Sequence, residues 1–442
     1  MDFEAAVAYL GSFVNHERTS DWSYPESIKL DRMLGLAREL GHPQKTYETV
    51  IIAGSKGKGS TAAILASILR MENLRVGLYT SPHLEDVCER IQVNGLKIGP
   101  ARFVEITLAL RRILDTPAWR RNPPTYFELL TAMAFQHFRL SKTHVAVLEV
   151  GLGGLYDSTN IAEACAVGLT PISLEHTDKL GKTIAKIAVQ KAGVIKGREV
   201  VVSAPQPEEA EAVIQKAVAE REAQLWRVGR EIKVFVREYG EDSQRFDVKG
   251  PFGGFFDLEL RLLGRHQIDN ACVAIGLAKG IEKKTRLKIS EEAVRRGVLD
   301  AVWPGRLEKM RQDPLVLLDG AQNADSAAKL VDAVKRHFHY RRLILVLGVS
   351  ADKDLAGILA SLLPEASMLI AARSKNPRAA DPGEIRRAAE GFSGEVTEAS
   401  DCRDALGRAL AAAHENDLVL VTGSLFLVGE ARTILREDAG GI

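Results

Sequence analysis

The chain has 442 residues, a formal net charge of +1, 46% hydrophobic residues and 26% charged ones. That length exceeds one ordinary core and points to two or three domains, and the near-neutral charge gives no global attraction to nucleic acid or an anionic membrane. Cys88, Cys165, Cys272 and Cys402 are far apart, which argues against a disulfide framework or a CxxC zinc site.

The first segment, "MDFEAAVAYLGSFVNHERTSD", is acidic early and has no apolar stretch followed by a small-residue cleavage site. No apolar run approaches the roughly 20 residues of a membrane helix, so a reducing, cytoplasmic location is expected. Strand "TVIIAGS" precedes helix "STAAILASILRMEN", then strand "RVGLYTS", helix "YFELLTAMAFQHFRL" and strand "HVAVLEVGLGG". Strand "AVGLTPIS" and helix "TIAKIAVQKAGVI" follow. This alternation predicts a parallel sheet flanked by helices. Residues 227–263 alternate as a β-hairpin module within the same domain. Near Trp303 the pattern resets into a second, smaller α/β series, from "LVLLDG" to "DLVLVTGS". The boundary is expected between Gly297 and Pro304, giving domains 1–300 and 301–442.

The stretch Gly54-Ser55-Lys56-Gly57-Lys58-Gly59-Ser60-Thr61 lies between a strand and a helix. Glycines let the chain curl tightly, and the backbone N–H groups and helix N-terminus then face an anion. Lys58 can reach terminal phosphates as a point charge. Such a strand–loop–helix is a phosphate-binding loop, although Gly59 separates Lys58 from Ser60.

This loop is similar to that of the folylpolyglutamate synthase and dihydrofolate synthase family, ATP-dependent amide ligases of the Mur ligase superfamily. Further segments resemble the family in the same order: "YTSPHLEDVCERIQVNG", "TYFELLTAMAF", "LEVGLGGLYDSTN", "EHTDKLGKTIAKIAVQKAGVIK", "GRHQIDNA", "WPGRLE", "LDGAQN" and "GSLFLVGE". The likeness runs from about Lys29 to Arg432. It implies a Mur ligase architecture: an N-terminal ATPase domain with a phosphate loop on a parallel sheet, and a smaller Rossmann-like α/β C-terminal domain.

The resemblance implies that Ser81, Glu149 and His176 bind Mg²⁺. It implies a nucleotide site of the loop, Asn270, Arg306 and Asp319, between the domains. It also implies that Thr125, Tyr126, Phe127, Tyr156 and Asp157 hold a pterin, with Phe127 equally readable as core. Lys353 and Ser424 would lie near the incoming glutamate or the domain interface. Lys58, His176 and Lys191 carry the catalytic expectation. In the family the lysine matching Lys191 is often carbamylated, and the alternative is a plain lysine paired with Glu149. A monovalent cation is a further expected cofactor. The expected substrates are ATP, L-glutamate and a pterin or folate acid, with neither nucleic acid nor membrane as partner, and the chain is expected to be a monomer.

Four positions depart from the family pattern: Leu155 for Arg, Glu175 for Asp, Gln190 for Glu and Gln322 for His. They leave open which pterin acid is used. They also leave open another Mur-type amino-acid ligase, or a nucleotide-binding homologue without catalysis.

Overall fold

The computed structural model describes residues 1–17, 24 and 30–440, with side chains described as far as Asp438. Lys29, where the family likeness begins, lies outside the described residues.

Among the described residues the strands form three sheets. The first contains β1 (Glu48–Ala53), β2 (Val76–Tyr79), β3 (Ile91–Val93), β4 (Leu96–Lys97), β5 (Val145–Glu149), β6 (Ala166–Leu169), β7 (Val200–Ser203) and β8 (Gln224–Arg227). Its spatial order is β4-β3-β2-β5-β1-β6-β7-β8. From β2 to β8 neighbouring strands run parallel, while β3 and β4 form an antiparallel edge. β1 shows why the sequence reads as an unbroken apolar run. Ile51 and Ala53 enter the core on one face of the sheet, and Val50 and Ile52 enter the core on the other. A parallel strand covered on both sides needs apolar residues at every position, not at alternate ones.

The expected hairpin module is a three-stranded antiparallel sheet of β9 (Lys233–Tyr239), β10 (Gln244–Gly250) and β11 (Gly253–Leu260). Its Phe246, Val248 and Phe255 join the same core as Val50 and Ile52. The third sheet has the order β12-β13-β17-β14-β15-β16, from β12 (Glu308–Arg311), β13 (Leu315–Leu318), β14 (Leu343–Leu347), β15 (Met368–Ala371), β16 (Glu395–Glu398) and β17 (Leu418–Thr422). Only the β12 edge pairs antiparallel to its neighbour. This sheet too has a core on each face. The sequence reading named neither the β3–β4 hairpin nor β7, β8 and β16; each is at most four residues long, too short for a distinctive period.

Helix Lys58–Met71 packs under helices Arg265–Lys284 and Glu291–Leu299, which carries the end of the first lobe back against the phosphate loop. The lobes are also tied by Arg432 of the last helix, which bonds Glu85 at 2.7 Å and Glu308 at 2.9 Å. Among the described residues no helix is long and apolar enough to cross a membrane.

Ile52 is fully buried. Replacing Ile52 with Ala should lower the unfolding free energy by about 2–5 kcal/mol, read from urea denaturation, because the sheet cannot collapse around the void.

Candidate active site

A cleft of about 960 Å³ opens where the carboxyl ends of the first sheet's parallel strands meet the second lobe. That edge is where ligands of open α/β sheets bind. The loop after β1 forms its floor. Ser55 and Lys56 donate backbone hydrogen bonds to the Pro171 carbonyl, at 2.9 and 3.3 Å, pinning the loop to the segment after β6. Ser173 N–H donates to Ser55 Oγ at 3.0 Å, closing the same seam.

Gly57 caps helix Lys58–Met71 with φ +83° and supplies no side-chain acceptor. The first N–H groups of the helix therefore point at the cleft without an internal competitor. A Cβ at Gly57 would stand 2.4 Å from Asn270 Oδ1. Asn270 is itself held by donating to Gln267 Oε1 at 2.9 Å.

Three lysines crowd the loop. Lys58 Nζ folds back onto the Gly54 carbonyl at 3.1 Å. Lys191, 2% exposed, donates to the same carbonyl at 2.7 Å and to Glu175 Oε1 at 2.9 Å. Lys56 approaches the other oxygen of Glu175 at 3.5 Å. So the partner of Lys191 is Glu175, not the Glu149 considered from the sequence. Burial alone would raise the Glu175 pKa, but Lys191, Lys58 and Lys56 outweigh it and hold it down to about 2.

Ser81, Glu149 and His176 all line the cleft. Glu149 ends β5, is buried, and accepts the Ser81 N–H at 3.2 Å. Burial raises its pKa, with Lys58 the first opposing influence. His176 sits at φ +47°, ψ +41° at the head of a four-residue helix and makes no capping bond through its side chain. A non-glycine residue in this region is strained and marks a functional candidate. Burial, against the pull of Glu175, brings the imidazole down to about 4, so at neutral pH it presents a lone pair.

Among the described residues no three His, Cys, Asp or Glu side chains are grouped to hold a metal. The donor set of one hydroxyl, one buried carboxylate and one neutral imidazole still fits a Mg²⁺ ion that takes its remaining oxygens from water and nucleotide phosphate.

The second lobe contributes Arg306 and Asp319 to the opposite wall. Asp319 accepts Leu307 N–H at 2.9 Å and Ala321 N–H at 2.8 Å, fastening the two turns on which Arg306 and Gln322 stand. Burial raises the Asp319 pKa and Arg306 opposes it.

The Mur ligase middle-domain model matches residues 52–278, and the Mur ligase glutamate ligase domain model matches residues 305–425. The dihydrofolate synthase/folylpolyglutamate synthase of Mycobacterium tuberculosis is 33% identical over 463 aligned positions, spanning 97% of this chain and 95% of the relative. The chain belongs to the dihydrofolate synthase/folylpolyglutamate synthase family. The structure of the Mycobacterium tuberculosis folylpolyglutamate synthase complexed with ADP superposes with a TM-score of 0.89 at 32% identity, covering 98% of each chain. The chain spans about half the length, 48%, of a Halobacterium salinarum relative named a probable bifunctional folylpolyglutamate synthase/dihydropteroate synthase, at 37% identity over 90% of this chain. The fold is the Mur ligase architecture that the sequence resemblance implied.

The five residues expected at the pterin of a family member are not on the wall of this cleft. Two of them, Phe127 and Asp157, stand against the turn that begins at Gly151. Thr125 and Glu128 close a capping box, with Thr125 N–H donating to Glu128 at 2.6 Å and Glu128 N–H donating to Thr125 Oγ1 at 3.2 Å. The Arg90 guanidinium lies over the Tyr126 ring, 5.8 Å from its centroid. Phe127 tilts against Tyr79 at 5.9 Å, and Tyr156 meets Tyr24 edge to face at 5.9 Å. The Asp157 carboxylate accepts from Gly151, Leu152 and Thr159 N–H at 3.0 Å each, and from Thr159 Oγ1 at 2.6 Å. Its lone pairs are spent on shaping the glycine turn, which does line the cleft.

Of the family departures, Glu175 and Gln322 line the cleft. Gln190 Oε1 accepts the Tyr24 hydroxyl at 3.0 Å. Leu155 packs beneath Gly193. Lys353 lines the cleft beside Asp352, 3.2 Å away, whereas buried Ser424 accepts Phe426 N–H at the start of the last helix. The sequence reading missed Trp303, whose indole lies against Gly59 in the cleft. A lone Trp before Pro-Gly at a lobe boundary was its one available signal.

Substituting Ala for Gly57 should weaken ADP binding about tenfold, measured by calorimetry, since left-handed strain for a residue with a Cβ costs roughly 1–2 kcal/mol.

Proposed function

We propose that this chain is an ATP-dependent ligase that joins L-glutamate to dihydropteroate or to a reduced folate, releasing ADP and phosphate. The observation that carries this is the cleft: one wall is a lysine-rich phosphate loop with buried Glu149, and the other is Arg306 and Asp319 of the second lobe. The catalytic lobe is taken as residues 1–300 and the glutamate-ligase lobe as 301–442. A monomer in the cytoplasm that uses small molecules alone, with no nucleic acid or membrane partner, completes the reading.

A carboxylate does not acylate an amine at neutral pH, because oxide is too poor a leaving group. In the proposed reaction a carboxylate oxygen of the acceptor attacks the γ-phosphorus of ATP, and the bond to ADP breaks. The glutamate amine then attacks the acyl phosphate carbon, and phosphate departs with the bonding pair. Lys56, Lys58 and the N–H groups after Gly57 would neutralise the charge that builds on the transferring group. Arg306 suits a forked grip on nucleotide phosphate. Asn270, packed against Gly57, would hold the nucleoside end. Ser81, Glu149 and His176 would hold Mg²⁺, which supplies Lewis-acid stabilisation of phosphoryl oxygens when bound. Thr125, Tyr126, Phe127, Tyr156 and Asp157 are the residues proposed to hold the pterin of the acceptor, two of them, Phe127 and Asp157, packing against the glycine turn. A monovalent cation is proposed as a second cofactor.

Lys191 is the proposed carbamate position. Burial favours the neutral amine, whose lone pair attacks the carbon of carbon dioxide; one C=O pair moves onto oxygen and the nitrogen gives up a proton to solvent, leaving the carbamate anion. Lys56 and Lys58 stand close enough to neutralise Glu175 in its place. The intact protein should carry the mass of one added carbon dioxide, lost on acidification and absent from the Lys191→Met variant.

The deciding assay is glutamate-dependent ADP release in Mg²⁺ buffer, run separately with dihydropteroate and tetrahydrofolate. Turnover with either acceptor is expected. Glu149→Gln should cut it about a hundredfold or more while ADP still binds. Tight ATP binding with no glutamate-dependent release would mean a homologue without catalysis, a reading that Gln322 and Leu155 invite. Release driven instead by a cell-wall nucleotide would mean another Mur-type ligase.

A further inference from the structure

We infer that His337, in the second lobe, is a positioning residue for the nucleotide: it sets the start of helix Arg265–Lys284 through a neutral Nδ1–H imidazole bonded to two backbone groups of the first lobe. The inference rests on the nucleotide site proposed above.

His337 ends helix Ala324–His337 and is 2% exposed. Its Nδ1 lies 2.6 Å from the Gly240 carbonyl, in the turn between β9 and β10. Gly264 N–H donates to its Nε2 at 3.1 Å. A carbonyl can only accept and an amide N–H can only donate, so the partners fix the tautomer: hydrogen on Nδ1, lone pair on Nε2. Burial lowers the ring's pKa, the Gly240 bond opposes that, and Arg336 adds to it, so the neutral form is the resident one. Tyr239 packs edge to face on the ring at 5.4 Å and keeps its plane. Neighbouring Arg336 is engaged elsewhere, paired with Asp332 at 2.8 Å and lying over Tyr239.

Gly264 is where the contact becomes functional. It is the N-cap of helix Arg265–Lys284, at φ +102°. A Cβ there would stand 2.7 Å from His266 and 3.2 Å from Ala333 of the His337 helix, so the approach requires glycine. Its carbonyl accepts from Gln244 Nε2 at 3.0 Å, and Gln244 also donates to Leu262 O at 2.6 Å. The peptide is thus gripped on its N–H side by the second lobe and on its C=O side by β10. The residues that follow, His266, Gln267 and Asn270, line the cleft, and Asn270 abuts Gly57 of the phosphate loop. A shift of Gly264 moves that arm against the loop.

The test titrates ADP calorimetrically, in Mg²⁺ buffer, into the full chain and three variants whose melting temperatures are measured alongside. His337→Phe removes both bonds and should raise the ADP Kd about tenfold. His337→Gln places an oxygen where Nε2 stood and should recover most of the affinity by accepting from Gly264. His337→Asn places its amide near Nδ1, recovers only the Gly240 bond, and should bind as poorly as His337→Phe. A Gln–Asn split at matched melting temperature supports the inference, because loss of general stability would not separate the two. Variants that all bind as the parent does, or Gln and Asn variants that weaken together in step with their melting temperatures, overturn it. If His337→Phe does not fold, the Gln–Asn comparison decides alone. A parent chain that does not bind ADP overturns the nucleotide reading along with this one.

Discussion

The site is organised around three lysines gathered on a turn that backbone hydrogen bonds pin to the segment after β6. Lys58 and Lys191 converge on one carbonyl, that of Gly54, and Lys56 and Lys191 share one carboxylate, that of Glu175. Two ammonium groups about 4 Å apart repel by roughly 4 kcal/mol at an effective dielectric near 20. Lys58 also acts on buried Glu149, and the carbamate proposed at Lys191 would turn one of the three cations into an anion. The loop is held by backbone bonds to Pro171 and the Ser55–Ser173 seam, which do not depend on charge. A pinned turn with clustered lysines and helix N–H groups at its end is suited to a polyphosphate, the ligand of the proposed function.

That constraint explains how the surrounding residues are divided. Some face the cleft: Lys58, Glu149, His176, Asn270, Arg306 and Asp319. Others spend their polar atoms on holding those in place. Asp157 fastens the glycine turn after β5, and Asp319 does both, fastening two turns of the second lobe from the wall it lines. Both carboxylates are buried and their pKa values are raised by that burial, yet each is supplied with backbone donors in compensation. A carboxylate supplied in this way makes the loop it serves single-valued.

The distinction marks where the sequence was legible. The phosphate loop was readable because its chemistry is local: strand, glycines, lysine and helix follow one another within a dozen residues. The two α/β series were readable because buried parallel strands give unbroken apolar runs. Partnerships across the fold were not. Glu175 and Lys191 are 16 residues apart, and no sequence rule prefers that pair to Lys191 with Glu149. At Thr125 a local rule did exist: Thr-x-x-Glu before an apolar helix is the capping-box pattern. Both side chains close that box, and Glu128 also takes the Arg32 guanidinium at 3.0 Å. Trp303 against Gly59, and His337 against Gly264, join residues more than 70 positions apart, and nothing local announces them.

The two lobes meet at the cleft in different ways. Arg306 reaches the cleft directly from the second lobe, whereas His337 of that same lobe acts on an arm belonging to the first. Arg432 adds a third tie, bridging Glu85 and Glu308. On the positioning role proposed for His337, a rotation of the second lobe would not move Arg306 alone but would also load the Gly264 peptide, because the imidazole accepts from Gly264 N–H and donates to the Gly240 carbonyl. Such side-chain-to-backbone hydrogen bonds weaken steeply with distance and angle. If the loop takes a nucleotide, that binding and the docking of the second lobe would stabilise each other by the same amount, as any reciprocal linkage requires.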